Sequence, residues 1–224
     1  FSGCDVMFIF RPVVIGVSLL LFWQLVIIVT GVESFILPSP ISVCLALRHN
    51  FILLMEHAFV TFCEIFLGLI FGVIFGTISA LIISFFRYAR VWLLPVLVIS
   101  QAIPVFALAP ILVLWLGYGM ASKVAMATLI IYFPVTAAMF DGLRQTKKGF
   151  LDLAKTMNAS SWAILYHIQI PFALPSLASG IRVATAVGPI GAVVGEWVGS
   201  SEGLGFIMLH ANGRLQIDLM LCYI

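Results

Sequence analysis

Long apolar blocks alternate with short polar breaks along this 224-residue chain, and the blocks have the length of membrane crossings. A helix needs about 20 mostly apolar residues to cross about 30 Å of hydrocarbon. Pro12 to Val32 meets that length, with only Gln24 and small hydroxyls inside it. Ile65 to Phe86 carries no charge and ends at Arg87 and Arg90. The charge-free run from Val91 to Ser122 exceeds one crossing and is broken by Pro95, Pro104 and Pro110. It predicts a kinked or partly unwound helix, with the span at 91–116. Further spans are expected at 124–141 and 173–196, and residues 219–224 open another. The pattern predicts an all-α membrane protein, a single polytopic helical bundle over residues 1–224 with about six transmembrane helices. Phe1 is not an initiator methionine and the chain stops inside a fresh apolar run, so both ends read as fragment boundaries.

The polar interval at 145–171 breaks this pattern most sharply, above all in its twenty residues 152–171. Phe150 to Met157 is long enough for two helical turns, with Asp152 near the N-terminal end, where a negative charge complements the helix dipole. Asn158 fits a left-handed cap position, for which Asn is the usual second choice to Gly. Ser160 or Ser161 can cap a second short helix from Trp162 to Ile168. Pro171 is expected to end that helix and restart the chain into the membrane. Two short helices at an angle, exposing Lys155, Trp162 and Tyr166, make a compact knob suited to docking. An amphipathic helix lying on the bilayer is the competing reading.

Composition narrows the classes. The chain is 63% hydrophobic and 9% charged, with a mean hydropathy of +1.22. Soluble domains carry about 25% charged residues, so a water-soluble globule is excluded and membrane lipid is the surroundings. The net charge of +2 and the absence of a basic run give no sign of a nucleic-acid partner. Cys4, Cys44, Cys63 and Cys222 show no metal or redox spacing and read as small apolar residues. Lone His57, His167 and His210 suggest no ligand set, and no metal site is expected. The sequence holds no phosphate-binding Gly-rich loop, no His-Glu-x-x-His and no Gly-x-Ser-x-Gly. No residue is expected to be catalytic. With the N-terminus inside, Arg11, Arg87, Arg90, Arg144, Lys147, Lys148 and Lys155 fall on the cytoplasmic side, against Arg48, Lys123 and Arg214 outside. Seven against three satisfies the positive-inside rule and makes the 145–171 loop cytoplasmic.

Several residues inside the spans invite a role. Gly68, Gly72 and Gly76, and again Gly191, Gly195 and Gly199, recur at four-residue spacing, which favours close helix packing within the chain over a subunit interface. Glu64 and Asp141 stand at span edges, where snorkelling or interfacial water accounts for them. Arg182 sits inside an otherwise apolar segment, so it needs a partner; a structural ion pair is favoured over direct solute contact, with Asp141 the expected carboxylate. Gln101 and Pro104 mark the proline-broken span, and unwound backbone at membrane depth either lines a cavity or is absorbed by packing. Together with Glu196, these four residues (Gln101, Pro104, Asp141 and Arg182) are the candidate translocation path.

The polar interval also resembles the cytoplasmic loop of ABC importer permeases, whose pattern is Glu-Ala-Ala, three residues, Gly, nine residues, Ile-x-Leu-Pro. Asp152, Leu153 and Ala154 stand at Glu-Ala-Ala, Asn158 at Gly, and Ile168, Ile170 and Pro171 at Ile, Leu and Pro, with every interval preserved. Leu37-Pro38-Ser39-Pro40, Gln101 to Gly119, Tyr132-Phe133-Pro134-Val135, Asp141-Gly142-Leu143-Arg144 and Gly195-Glu196-Trp197-Val198-Gly199 resemble the nitrate/sulfonate/taurine branch. The run through Gly203-Leu204-Gly205 is more similar to members that import a thiamine-precursor pyrimidine. The resemblance implies a type I ABC importer permease fold, a bacterial inner-membrane location, and a homodimer of permeases. It implies a pair of ATPase subunits docking on Asp152, Leu153, Ala154, Asn158, Trp162, Ile168, Ile170 and Pro171. ATP and Mg would be held by those subunits, with no cofactor on this chain, and a solute-binding protein would deliver a small polar solute outside. The alternative, an ion-gradient-driven secondary transporter, calls for midplane carboxylates and paired broken helices; the chain has one proline-rich span and no repeat.

Overall fold

The computed structural model describes residues 4–100 and 103–223. The first helix, α1 (Cys4–Thr30), is apolar on every side, and none of its apolar window from Arg11 to Thr30 is buried within the chain. Ser39 caps α2 (Pro40–His49), its Oγ accepting the Ser42 N–H at 3.1 Å, and Pro40 occupies a first-turn position where no backbone donor is needed. After Asn50, α3 (Phe51–Phe85) runs for 35 residues. It begins well before the expected span at 65. Glu56, His57 and Glu64 lower the local hydropathy, but helical backbone bonds form regardless of side-chain polarity.

The proline-rich run is unwound at 103–104, one of the two expected forms, between two helices, α4 (Arg87–Ser100) and α5 (Val105–Leu116). Pro104 starts α5 as its N-cap, while Pro95 and Pro110 are accommodated inside the helices. Next come α6 (Met120–Arg144), α7 (Lys148–Thr156) and the short α8 (Ser161–Ile164). A π-helical segment, Leu165–Gln169, joins α8 to α9 (Ile170–Gly199) without a break. Pro171 therefore does not end the preceding helix, as the sequence suggested. Proline lacks the N–H that would bond four residues back, and the wider π turn, closed by Ile170 N–H donating to Leu165 O, absorbs that loss. Two further helices, α10 (Leu204–Gly213) and α11 (Ile217–Cys222), follow. Among the described residues, four helical stretches are long and apolar enough to cross a membrane: 11–30, 51–85, 120–144 and 161–199. Two shorter apolar helices cover 88–99 and 105–116.

The chain divides into two units, residues 4–58 with 204–223, and residues 59–203. In the first, Met208, Ala211 and Tyr223 form a small core with Leu54, Ile207, Leu219 and Met220 around it. In the second, α3, α6 and α9 pack on one another, and Gly68, Gly72 and Gly76 of α3 and Gly191 and Gly195 of α9 face α6, while Gly199 meets Val113 and Tyr118. A Cβ on Gly68 would come within 2.5 Å of the Ala127 Cβ, and one on Gly191 within 2.8 Å of the Ala127 Cα. Gly72 and Gly188 abut Ile131, and Gly180 abuts Ala138 and Pro134. Intrachain packing is thus the use of these glycines, because backbone approach at this distance leaves no room for a side chain. Ala80, Ile83, Met139, Phe140, Leu143, Leu165 and Ala173 form the core beneath the polar interval.

Candidate functional site

The polar interval folds into a knob whose shape follows from a few local choices. At the end of α7, Asn158 adopts a left-handed conformation with φ 60°. Its N–H donates to Lys155 O at 3.0 Å and the Ala159 N–H donates to Ala154 O at 3.0 Å. This pair of bonds is a Schellman closure, the arrangement that a Gly at the same place usually makes. Ser160 then caps α8, accepting the Ala163 N–H at 3.2 Å.

Two aromatic contacts and two buried side chains fix the knob to the bundle. Trp162 packs on Phe85, at the end of α3, with ring centroids 4.5 Å apart, and Phe150 packs on Phe172 at 5.3 Å. Ala154 and Leu165 are buried, Leu165 within the core next to α6. Among the polar side chains of its surface, four large apolar or aromatic ones stand open: Met157 is 74% exposed, Tyr166 68%, Trp162 65% and Leu153 58%. Asp152 faces solvent and pairs with Lys155 at 3.8 Å. Of the eight residues expected in the loop, Asp152, Leu153, Asn158, Trp162 and Pro171 are exposed, Ile168 and Ile170 are half-buried, and Ala154 is buried. All belong to this one knob or to its junction with α9.

The candidate path residues are not gathered in one place. Asp141 is exposed and lines a cavity of about 220 Å³ with Ile83, Leu94, Phe140 and Arg144. Arg90 and Arg144 both lie over the Phe140 ring, at 5.8 and 5.5 Å. Arg182 stands on the face of α9 opposite the stripe packed on α6, and the expected ion pair with Asp141 does not form among the described residues. The antiparallel register explains this: Gly142 of α6 meets Ala173 and Ser176 of α9, whereas Pro134 and Ala138 meet Gly180. Pro104 is exposed at the start of α5, and Gln101 lies outside the described residues. A larger cavity, about 740 Å³, opens between α3, α4, α5, α6 and α9, lined by Ser79, Leu97, Tyr132, Phe133, Val183 and Val187 among others.

Glu196 belongs to a buried polar cluster that the sequence did not disclose. The Thr61 hydroxyl donates to Glu196 Oε1 at 2.6 Å. The Glu64 carboxyl lies against that of Glu196, and Lys123 is within electrostatic reach of both. Glu64 and Lys123 are each 2% exposed and Glu196 1%. Lys123 also donates to the carbonyls of Tyr118 and Gly119. Gly203 closes the cluster: its φ of +106° suits glycine, and a Cβ there would strike the Glu196 carboxylate. Edge snorkelling does not describe Glu64, which is buried in this cluster. The available signal was periodicity, since Thr61 and Glu64 continue the stripe of Gly68, Gly72 and Gly76 toward the helix start.

Comparison with known proteins places this architecture. Residues 68–224 match the family model described as "Binding-protein-dependent transport system inner membrane component". A probable ABC transporter permease protein of Haemophilus influenzae is 57% identical over 94% of this chain and 86% of its own length. The formylaminopyrimidine transport permease protein ThiX of Halalkalibacterium halodurans is 36% identical over 88% of this chain and 78% of its own. The riboflavin transport system permease protein RibX of Chloroflexus aurantiacus is 35% identical over 90% and 76%.

Proposed function

The chain belongs to the family of binding-protein-dependent transport system inner membrane components, and from that premise we propose that its knob is where an ATPase subunit docks to drive solute import. As a family member the chain is a multi-pass ABC transporter permease and not an enzyme. The family implies an ATPase subunit and a solute-binding protein as partners. The observation that carries the docking reading is the exposure of Leu153, Met157, Trp162 and Tyr166 on a knob locked by Asn158 and anchored through Leu165. Aromatic and Met side chains grouped in this way are what protein interfaces use as anchors.

The transmission of force follows from connectivity. α8, the π segment and α9 are one uninterrupted helical stretch from Ser161 to Gly199, so a push on the knob is delivered to a membrane span without an intervening hinge loop. ATP and Mg sit on the ATPase subunit. Closure of the ATPase pair moves the knobs of two permease copies and switches the path between its two openings. The N-terminus and the knob are cytoplasmic, by the excess of basic residues on that side, in a bacterial inner membrane surrounded by lipid. The solute is a small polar molecule; a heterocycle such as a pyrimidine is favoured over a sulfonate, because ThiX and RibX are named for heterocycles.

Affinity purification of the full chain with its ATPase subunit, combined with uptake assays, tests the reading. Trp162→Asp or Asp152→Lys should abolish ATP-dependent uptake and co-purification while membrane insertion stays normal. Normal uptake in both variants would remove the knob from the coupling route.

A further inference from the structure

The burial pattern of α9 separates two faces of different chemistry. Ala173, Gly180, Ala184, Gly188, Gly191 and Gly195 are buried, those from Gly180 onward against α6. Arg182 is two residues from both Gly180 and Ala184, a rotation of about 200° at 3.6 residues per turn, which sets it on the opposite face. Ala178, Ser179, Thr185, Ala186 and Pro189 are exposed beside it. Among the described residues the Arg182 side chain has no ion pair or hydrogen bond.

Depth along the helix bears on its environment. The 30 residues of α9 extend about 45 Å, and the hydrocarbon covers about 30 Å of that. Arg182 lies twelve residues, about 18 Å, beyond Ile170 and about 25 Å short of Gly199, so a hydrocarbon layer centred on the helix holds it about 10 Å inside. An arginine at such depth faces protein or water rather than lipid. Its neighbours agree. The exposed face of α3 carries Phe59, Phe62, Phe66, Ile74, Phe75 and Ile78, as a lipid-facing surface does, whereas this face of α9 is made of small and hydroxyl side chains. The cavity between α3, α4, α5, α6 and α9 reaches the flank of the same helix at Val183 and Val187.

We infer that this face of α9 lines the translocation path and that Arg182, flanked by Ser179 and Thr185, is the residue that grips the solute through an acceptor oxygen or nitrogen. The inference rests on the permease reading above and deepens it. The solute presents either an anionic group or the carbonyl or ring nitrogen of a heterocycle; both accept from a guanidinium. Arg182 sets which solutes pass, by holding their acceptor edge while the rest slides over small side chains.

Cysteine accessibility tests the placement. In the full chain, with Cys4, Cys44, Cys63 and Cys222 changed to Ser, single variants Arg182→Cys, Thr185→Cys, Phe66→Cys and Ala184→Cys are exposed to a membrane-impermeant methanethiosulfonate, in resting complexes and in complexes trapped with ATP and vanadate. Labelling of Arg182→Cys and Thr185→Cys, with Phe66→Cys and Ala184→Cys unreactive, is the expected result. Arg182→Cys as unreactive as Phe66→Cys in every state overturns it. Uptake then tests the chemistry, with radiolabelled formylaminopyrimidine as the neutral heterocycle and taurine as the anion. For whichever probe the wild type carries, Arg182→Gln should raise the half-saturating concentration about tenfold or more, with partial rescue by Arg182→Lys. An unchanged Arg182→Gln, or a wild type that carries neither probe, overturns the assigned solute chemistry. Loss of ATPase co-purification from the wild type would defeat the permease reading itself, and the labelling pattern is read independently of it.

Discussion

Asn158 carries the knob on one unfavourable backbone conformation. A left-handed residue with a Cβ costs about 1–2 kcal/mol, less for Asn and nothing for Gly. Asn158→Gly should therefore leave the chain at least as stable and keep uptake. Asn158→Val should lower stability by about 1–2 kcal/mol, read as an earlier thermal transition in detergent, and weaken ATPase co-purification with it. Equal behaviour of the two variants would mean that the Schellman closure is not what shapes the knob. Glu196 shows the same economy at the other end of α9. Its carboxylate is held between Thr61 and Gly203, and Gly203 is the residue that both its φ and the space permit.

At the scale of elements, α6 is the helix around which the second unit is built, and glycine decides how closely it is packed. Gly191 faces the Ala127 backbone, which cannot rotate out of the way as a side chain can. Gly191→Leu should therefore cost about 1–3 kcal/mol or more through overpacking, lowering the detergent melting temperature. Gly149, which has open space around its Cα, should tolerate Ala with no measurable change. A melting temperature unmoved by Gly191→Leu would show that α6 and α9 separate readily. The π segment belongs to this scale as well. It lets Pro171 sit within a continuous helical stretch, so a residue that reads as a helix end in sequence becomes an internal feature of a long rod.

For the whole molecule, the consequence is mechanical. If the Ser161–Gly199 rod transmits the push of the ATPase to the membrane, a flexible joint in it should uncouple the two. Insertion of two glycines between Ile164 and Leu165 should leave the ATPase subunit co-purifying with the chain while ATP-dependent uptake falls at least tenfold. Retained uptake would show that force reaches the spans by another route. The sequence by itself determined the class of this protein. The long apolar blocks require helices, since bilayer hydrocarbon offers backbone groups no other partner. The spacing from Asp152 to Pro171 marked the knob, because local caps and turns are set by residues only a few positions apart. What it could not determine was which polar residues meet. Thr61, Glu64, Lys123 and Glu196 come from three helices far apart in the chain, and only the register of α3 and α9 on α6 brings them together. The same register separates Asp141 from Arg182 and turns the arginine away from α6. Burial along one helix can be read from its own periodicity, but the partner across a packed interface depends on how two helices slide and rotate against each other, and that is fixed by the sum of many small contacts.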